Sequence, residues 1–177
     1  MRLIRYLLLA VLLVVPSLVL AHGATRQKLV LSVDVAATPE AVWAVIGNFQ
    51  DMSWHPAVFS STGAGDNAID ATRVLTLGAA DGPTISEVLT KYGSDKMSYS
   101  YLIAEVDVAV LPVTNYSSHL TVTALATGGA HIEWKGAFYR GFPNNDPPEN
   151  LNDAAAIAAV SAVYQAGLDA LAARFGQ

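Results

Sequence analysis

The stretch Ser32–Pro56, SVDVAATPEAVWAVIGNFQDMSWHP, predicts a strand, a capped helix and a turn in immediate succession. Apolar residues alternate with more polar ones over Leu29–Val35, which is the period of a half-buried strand. Thr38 is suited to a helix N-cap, and Pro39 to the first helical position, where its missing N–H costs nothing. Apolar side chains then recur at helical spacing as far as Phe49. A strand that leads straight into a short helix narrows the choice of folds sharply.

The middle of the chain is predicted to be rich in strands. Turn sequences with Gly, Asp and Asn separate six strand-like runs, which are Ala57–Thr62, Ala71–Leu77, Thr84–Tyr92, Met97–Val106, Tyr116–Ala126 and His131–Tyr139. Consecutive short strands with tight connections indicate an antiparallel meander. The segment Asp107–Asn115 contains Pro112 and is predicted to be a loop or a bulge.

The C-terminal part predicts one long helix after a loop. Phe142–Asn150 holds three prolines and three asparagines and is predicted to be a loop, which Asn152 or Asp153 ends as a helix cap. The apolar residues of the helix fall on one face at spacings of three and four, and they are Ile157, Val160, Val163, Tyr164, Leu168, Leu171 and Phe175. Since no other element is long enough to cover the apolar face of the sheet, we expect an α+β fold in which this helix packs on the sheet around a cavity.

The N-terminal segment has the pattern of an export signal. Arg2 and Arg5 precede an apolar run over residues 6–20 that ends in small residues. We therefore predict a signal peptide at residues 1–21 and one exported domain at residues 22–177, with an uncleaved anchor as the alternative.

Composition excludes several classes of function. The formal net charge is −5, and it becomes −7 without the predicted signal peptide, because eight Lys and Arg remain against 15 Asp and Glu. An acidic chain without a basic run argues against nucleic acid and against an anionic membrane as partners, and it would suit a basic protein partner. The chain has no cysteine, so thiolate chemistry is excluded.

One pair of charged residues is expected inside the sheet. Glu87 shares a face with Ile85 and Leu89, which should be the inner face, and Arg73 could reach it from a neighbouring strand. Either Glu87 anchors a ligand or acts as an acid with a raised pKa, or the two residues form a structural pair.

Aromatic residues and one histidine complete the candidate ligand-binding set. Tyr99 and Tyr101 share a face and could line a pocket or fill the core, and Trp134 is a core or rim aromatic residue. His55 could be a proton-exchanging group at the cavity mouth, or a turn histidine that binds local backbone groups while Trp54 packs as a lid.

The other histidines favour neither catalysis nor a metal site. Alternation places His119 and His131 on the outer face of their strands. His22, at the predicted mature N-terminus, could begin a copper site, but the favoured interpretation is an exposed, frayed terminus, because no two histidines have the spacing of metal ligands. No Ser-His-Asp order, phosphate loop or nucleotide fingerprint occurs either, so we predict no catalytic residue, no metal and no cofactor.

The pattern resembles the helix-grip (SRPBCC) superfamily, which includes START domains and polyketide cyclases. The resemblance covers essentially the whole predicted mature chain and rests on VDVAATPEAVWAVIGNFQDMSWHPAV, ATRVLTL, GPTISEVLTKYGSDKMSYSYLI, LPVTNYSSHLTVTAL and HIEWKGAFY. It implies a curved antiparallel sheet wrapped around a long C-terminal helix, with short helices after the first strand, and a cavity that buried charges often line. Fold alone settles no function.

A narrower resemblance rests on the two ends of the predicted mature chain. HGATRQKLV and GAFYRGFPNNDPPENLNDAAAIAAVSAVYQAGLDAL are similar to segments of the MxaD-type periplasmic accessory proteins of bacterial methanol oxidation. This resemblance implies a non-catalytic periplasmic protein that assists a quinone-dependent methanol dehydrogenase and its cytochrome c partner, in electron transfer or in maturation. The alternatives are a carrier of a small hydrophobic ligand or lipid, and a cyclase- or aromatase-like enzyme that would use Glu87, Tyr101 and His55.

Overall fold

A computed structural model describes residues 23–176. The predicted signal peptide and His22 lie outside these residues. Within them, the elements in chain order are β1 Gln27–Val35, α1 Pro39–Ile46, β2 Val58–Ala64, β3 Thr72–Leu77, β4 Thr84–Gly93, β5 Ser98–Val106, β6 Val113–Ala124, β7 Ala130–Arg140, a 3-10 turn Glu149–Leu151 and α2 Asp153–Phe175. All seven strands join one antiparallel sheet in the order β1-β7-β6-β5-β4-β3-β2. The predicted α+β helix-grip architecture is confirmed.

The opening stretch folds as its sequence predicts. Burial alternates along β1, with the odd-numbered residues facing inward. The Thr38 hydroxyl accepts a hydrogen bond from the Ala41 N–H, and Pro39 occupies the first turn of α1. Val42 and Ile46 on this helix are fully buried, so α1 closes one end of the core.

The predicted meander is confirmed, with one boundary wrong. Every predicted strand overlaps an observed one, but β6 begins at Val113, inside the segment predicted as a loop or a bulge. The strand continues through this region because it carries a bulge between Thr114 and Ser117, where Asn115 has a positive φ of 47°. Pro112 stands just before the strand, where no ladder hydrogen bond is lost.

The long helix lies against the sheet on a face that the sequence predicted only in part. Asn152 caps α2 through its side-chain oxygen, which accepts from the Ala155 N–H. The buried face combines large and small residues, namely Ala156, Val160, Tyr164, Gly167, Leu168, Leu171 and Ala172. Ile157, which was predicted on this face, is 38% exposed. The buried face is rotated toward the small residues of the helix, which allow it to approach β1 and β7. By length and composition α2 could also cross a membrane, but here these residues pack on the sheet.

Two glycines allow helix and sheet to meet closely. A Cβ on Gly167 of α2 would lie 2.7 Å from His55 Cδ2 and 2.9 Å from Trp134 Cζ3. A Cβ on Gly136 of β7 would overlap the hydroxyl of Tyr164. Both positions therefore exclude larger residues, and they bring α2 against the residues that line the interior.

Candidate functional site

The candidate site is a cavity of about 70 Å³ between the inner face of the sheet and α2. Four of the seven predicted ligand-binding residues line it, and they are His55, Glu87, Tyr101 and Trp134. The rest of the lining is mostly apolar and includes Leu75 and Leu111. The other three predicted residues, Trp54, Arg73 and Tyr99, are buried but do not line the cavity.

The predicted charged pair exists and is buried. Arg73 on β3 lies directly opposite Glu87 on β4, and its Nε donates a 2.6 Å hydrogen bond to Glu87 Oε2. The exposed fraction is 1% for Arg73 and 5% for Glu87. Arg73 Nη1 donates to the Phe49 carbonyl at 2.6 Å, and its guanidinium lies over the rings of Phe49 and Tyr101 at 4.3 and 5.1 Å. Arg73 thus ties the connection after α1 to the inside of the sheet, which is a structural role.

Burial and pairing act in opposite directions on the two charges. Burial raises the pKa of the Glu87 carboxyl, and the guanidinium of Arg73 opposes that rise. Burial, the largest single cause, would lower the pKa of Arg73, but Glu87 together with Tyr99 and Tyr101 outweighs it, so the net shift of the Arg73 pKa is upward. Arg73 therefore stays charged, and Glu87 is a partnered carboxyl rather than an isolated one.

A chain of hydroxyl groups links the sheet to α2. Trp134 Nε1 donates to Ser118 Oγ at 2.8 Å and, more weakly, to the Tyr101 hydroxyl at 3.2 Å. Ser118 Oγ donates to the Lys135 carbonyl at 2.8 Å and lies 3.0 Å from the Tyr164 hydroxyl. A consistent set of donors has Tyr164 donating to Ser118 and accepting from Tyr116, whose hydroxyl lies 2.6 Å away.

These phenols are neutral groups at any physiological pH. Burial, the largest cause, raises the pKa of Tyr101, Tyr116 and Tyr164 above the usual range. The Tyr164 ring also stacks on Trp134, with centroids 4.4 Å apart and planes 10° from parallel. Packing and hydrogen bonds together fix the orientation of this part of the site.

His55 belongs to the interior and uses both ring nitrogens. Its Nε2 lies 2.9 Å from the Val163 carbonyl on α2, and its Nδ1 accepts from the Ala57 N–H at 3.2 Å. This pairing requires the tautomer protonated on Nε2. Burial lowers the His55 pKa, and it outweighs the opposing hydrogen bond to Val163, so the ring is neutral at pH 7.

Trp54 and His55 are buried rather than solvent-exposed at the rim, and His55 lines the cavity. His55 is 2% and Trp54 7% exposed. Trp54 packs against the rings of His55 and Trp134, each with centroids 5.7 Å away. Tyr99 lies deeper, against Phe49 and Trp43. The interpretation of His55 as a turn histidine is correct for its contact with Ala57, but the bond to Val163 on the distant helix was not expected.

The sequence analysis missed the hydroxyl network. Ser118 and Tyr116 face inward on β6 together with Leu120, so alternation alone could have marked both as interior polar residues. The partner hydroxyl comes from Tyr164 on α2, which was predicted only as an apolar face residue.

The outward histidines and the loop before α2 lie away from this cavity. His119 and His131 are on the outer face as predicted, and His131 Nδ1 lies 2.6 Å from Asp34 Oδ1.

Arg140 fixes the loop of residues 141–150, since its Nε donates to the Phe142 carbonyl at 2.7 Å and its Nη2 to the Asn144 carbonyl at 2.9 Å. The loop is therefore an ordered, largely exposed segment. Within residues 23–176, no group of three or more His, Asp or Glu side chains is placed to hold a metal ion.

The size of the cavity limits what the interior can do. A volume of about 70 Å³ holds roughly two water molecules, whereas sites for drug-sized ligands have about 300–1,000 Å³. Within that space, Tyr101 offers a neutral phenol and Glu87 a carboxyl that is already bound to Arg73. These groups could order water or a very small molecule, but the space does not hold a polyketide or a lipid chain.

Comparison with solved structures finds the same fold in bacterial proteins. The protein XoxI from Bacillus cereus is 30% identical, with a TM-score of 0.70, and the match covers 84% of this chain and 94% of that chain. An uncharacterised protein from Bacillus thuringiensis is 29% identical, with a TM-score of 0.70 and coverage of 85% and 100%. Norcoclaurine synthase from Thalictrum flavum, solved with dopamine and hydroxybenzaldehyde, is 14% identical with a TM-score of 0.59 over 85% and 84% of the two chains, which shows a shared fold alone.

Sequence comparison gives the family. No curated protein matches the chain. The family model described as polyketide cyclase/dehydrase and lipid transport matches residues 26–176, which include every strand and both α-helices. The chain therefore belongs to the polyketide cyclase/dehydrase and lipid transport family.

Proposed function

We propose that this protein is a non-catalytic accessory protein, exported to the periplasm, that docks on a quinone-dependent methanol dehydrogenase or its cytochrome c partner. It assists their electron transfer or maturation by protein contact. The observation that carries this proposal is the interior cavity of about 70 Å³, which is too small for the substrates and lipids that a catalyst or carrier of this family would hold.

The polar groups of the interior support a structural role. Arg73 is bound to Glu87 and to the Phe49 carbonyl, so its charge maintains the connection after α1. His55 is bound to backbone atoms at both nitrogens and is kept neutral by burial. Groups that are already paired in this way stabilise the fold, and a substrate would have to displace their partners.

The loop of residues 141–150 is the segment best suited to docking. It is exposed for most of its length, and Arg140 donates hydrogen bonds to two of its backbone carbonyl groups. A third bond, from Arg140 Nη1 to Asp153 at 3.3 Å, joins the same side chain to the start of α2. A loop that is rigid before binding loses little conformational entropy on association.

The resemblance of both ends of the chain to MxaD-type proteins supports this choice of partner. The loop lies inside the longer of the two resembling segments. The N-terminal signal pattern supports export to the compartment in which such a dehydrogenase works.

The test is capture of the partner from methanol-grown methylotrophic cells. The mature chain, immobilised through its C-terminus, is expected to retain the dehydrogenase or its cytochrome c from a periplasmic extract. Deletion of the gene is expected to lower methanol-dependent respiration.

A charge reversal in the loop locates the contact. Glu149→Arg is expected to weaken capture by at least about tenfold if the loop is central to the contact. Asp81→Arg, in the exposed turn between β3 and β4, is the matched control and should bind like the wild type. Recovery of neither partner, together with unchanged respiration in the deletion strain, contradicts the proposal.

The enzyme alternative rests on a single observation, that Glu87, Tyr101 and His55 line the same cavity. If the protein turns over a very small substrate there, Glu87→Gln should abolish an activity that the wild type shows. The carrier alternative requires a ligand that purifies with the protein, which native mass spectrometry of the mature chain would detect.

A further inference from the structure

The outer face of the sheet carries a second pocket, of about 370 Å³, on the side away from α2. The register places Lys135 on β7, His119 on β6, Ser100 on β5 and Lys91 on β4 next to one another in a row across four strands. Lys28 of β1 lines the same pocket. Three lysines that are far apart in the sequence thus converge on one concavity.

The charge of this pocket is opposite to that of the chain as a whole. Within residues 23–176, Lys28 and Lys91 form no ion pair, and Lys135 pairs with Glu133 at 2.5 Å. The chain has 15 acidic residues against 10 basic ones, yet only one carboxylate is paired with the three ammonium groups. The pocket therefore keeps uncompensated positive charge.

The floor of the pocket is held in place by hydrogen bonds. His119 Nδ1 lies 2.8 Å from Ser100 Oγ, and its Nε2 lies 2.8 Å from Thr121 Oγ1, so the ring cannot rotate without losing a partner. Burial, with Lys135 and Lys91 adding to it, lowers the His119 pKa despite the opposing Glu133, which agrees with ammonium groups close to the ring.

The walls of the pocket combine this charge with apolar surface. Val30 of β1, opposite Lys135 in the register, is 52% exposed. Ala137 lies two residues after Lys135 on β7 and also lines the pocket. The methylene stems of the lysines extend the apolar surface. The pocket of about 370 Å³ is an open groove on the sheet, so it has room for a small molecule that keeps one side in solvent.

We propose that this outer pocket binds a small organic anion, a carboxylate or a phosphate ester with a compact apolar group, whose charged end lies between Lys91 and Lys135. The apolar group contacts Val30, and Ser100 offers a hydroxyl to the anion. This site shares no lining residue with the interior cavity, although Gly136 of the outer pocket is next to Trp134 of the cavity on β7. The proposed anion binding does not depend on the partner proposed above.

The test is a nuclear magnetic resonance titration of the 15N-labelled mature chain. The probes are phenyl phosphate and benzoate, with benzyl alcohol as the neutral control of similar size. Saturable shifts are expected for the backbone amides of Ser100, His119 and Lys135 with at least one of the two anions, and the comparison of the two anions tells phosphate ester from carboxylate.

Variants tie the response to the lysines. The double variant Lys91→Gln/Lys135→Gln is expected to bind the anion with an affinity lower by at least about tenfold. Lys96→Gln, in the exposed turn between β4 and β5, is the matched control and should bind like the wild type. Far-ultraviolet circular dichroism confirms that each variant is folded.

Three outcomes overturn the proposal. They are the absence of saturation by both anions at millimolar concentration, an equal response to benzyl alcohol, and an equal loss of binding in the Lys96→Gln variant. Each of these results leaves the proposed docking function unaffected, because that function is tested by capture of the dehydrogenase or its cytochrome.

Discussion

On the inner face of the sheet the cavity measures about 70 Å³, and the buried polar groups around it have hydrogen-bond partners within the protein, except Arg73 Nη2 and Trp54 Nε1. On the outer face a pocket of about 370 Å³ is surrounded by lysines. The inner charge, Arg73, is covered by Glu87 and two aromatic rings. The outer charges of Lys28 and Lys91 have no carboxylate partner within residues 23–176.

The two faces of the sheet therefore differ in both room and charge. Large side chains fill the space between sheet and helix in this protein, and two of them, Trp134 and Tyr164, stack directly on one another. The interior groups are expected to contribute mainly to stability, whereas the proposed anion site lies on the opposite face. Variants of the interior should accordingly change stability, and variants of the outer face should change binding.

The largest effect is expected from breaking the buried ion pair. Arg73→Met leaves Glu87 buried without its cation, which should lower the free energy of unfolding by about 3–5 kcal/mol. Urea unfolding followed by tryptophan fluorescence measures the loss. The double variant Arg73→Met/Glu87→Leu removes both charges and should recover most of it, whereas a double variant as unstable as the single one would show that the loss comes from packing alone.

A smaller loss is expected from the hydroxyl network. Tyr164→Phe removes the acceptor of the Tyr116 hydroxyl and the donor to Ser118, which should cost about 1–3 kcal/mol. Tyr139→Phe, on the outer side of β7, is the matched control and should stay within about 0.5 kcal/mol of the wild type. Equal stability of the two variants in urea would mean that the network does not hold α2 on the sheet.

Much of the fold was predictable because its signals are local. Thr38 and Asn152 cap their helices through bonds within one turn, and alternation identified the inner face of each strand. The pair Arg73 and Glu87 could be expected because adjacent strands of a meander place their inner residues side by side. A bulge was one of the two alternatives predicted for residues 107–115, and the structure has it. Only the start of β6 was placed too late, because the strand continues through Asn115 with its positive φ, which alternation does not reveal.

The rest depended on how distant elements meet. The hydrogen bond between His55 and the Val163 carbonyl depends on how α2 is oriented about its own axis. Gly167 fixes this orientation, because it allows α2 to approach His55 and Trp134 closely. The lysines of the outer pocket come from β1, β4 and β7, and only the strand order brings them together. The sequence has no run of basic residues along the chain. The folded sheet nevertheless places three lysines from different strands around one pocket.

The pH dependence of stability tests how dry the interior is. An unfolded histidine titrates near about pH 6.5, and burial lowers the folded pKa of His55, so below pH 6.5 the unfolded chain binds more protons. The stabilisation is complete above about pH 6.5 and declines as the pH falls, by at most about 1.4 kcal/mol per pH unit for one proton. His119, whose pKa is also lowered, adds to the slope of the wild type.

The variant His55→Gln separates the two contributions. Urea unfolding at pH 7.5 and pH 5.0 should show a smaller loss of stability toward pH 5.0 for this variant than for the wild type, because the contribution of His55 is removed. The contributions of His119, and of Glu87, whose raised pKa acts in the opposite direction, remain in both proteins. The comparison uses the difference between the two pH values, so a general loss of stability in the variant does not affect it. An unchanged difference would place solvent at the His55 ring and contradict its burial.

The smallest effect concerns the charge of the outer pocket. After burial, Lys135 is the largest cause of the lowered His119 pKa, and it outweighs the opposing Glu133. Lys135→Gln removes the positive charge and also frees Glu133 from its ion pair, so both changes should raise the His119 pKa. The His119 ring protons report this shift in a nuclear magnetic resonance titration, with Lys96→Gln as the control. If the His119 pKa stays the same in Lys135→Gln, then the Lys135 ammonium does not act on the His119 ring, and the positive charge of the outer pocket comes from Lys28 and Lys91 alone.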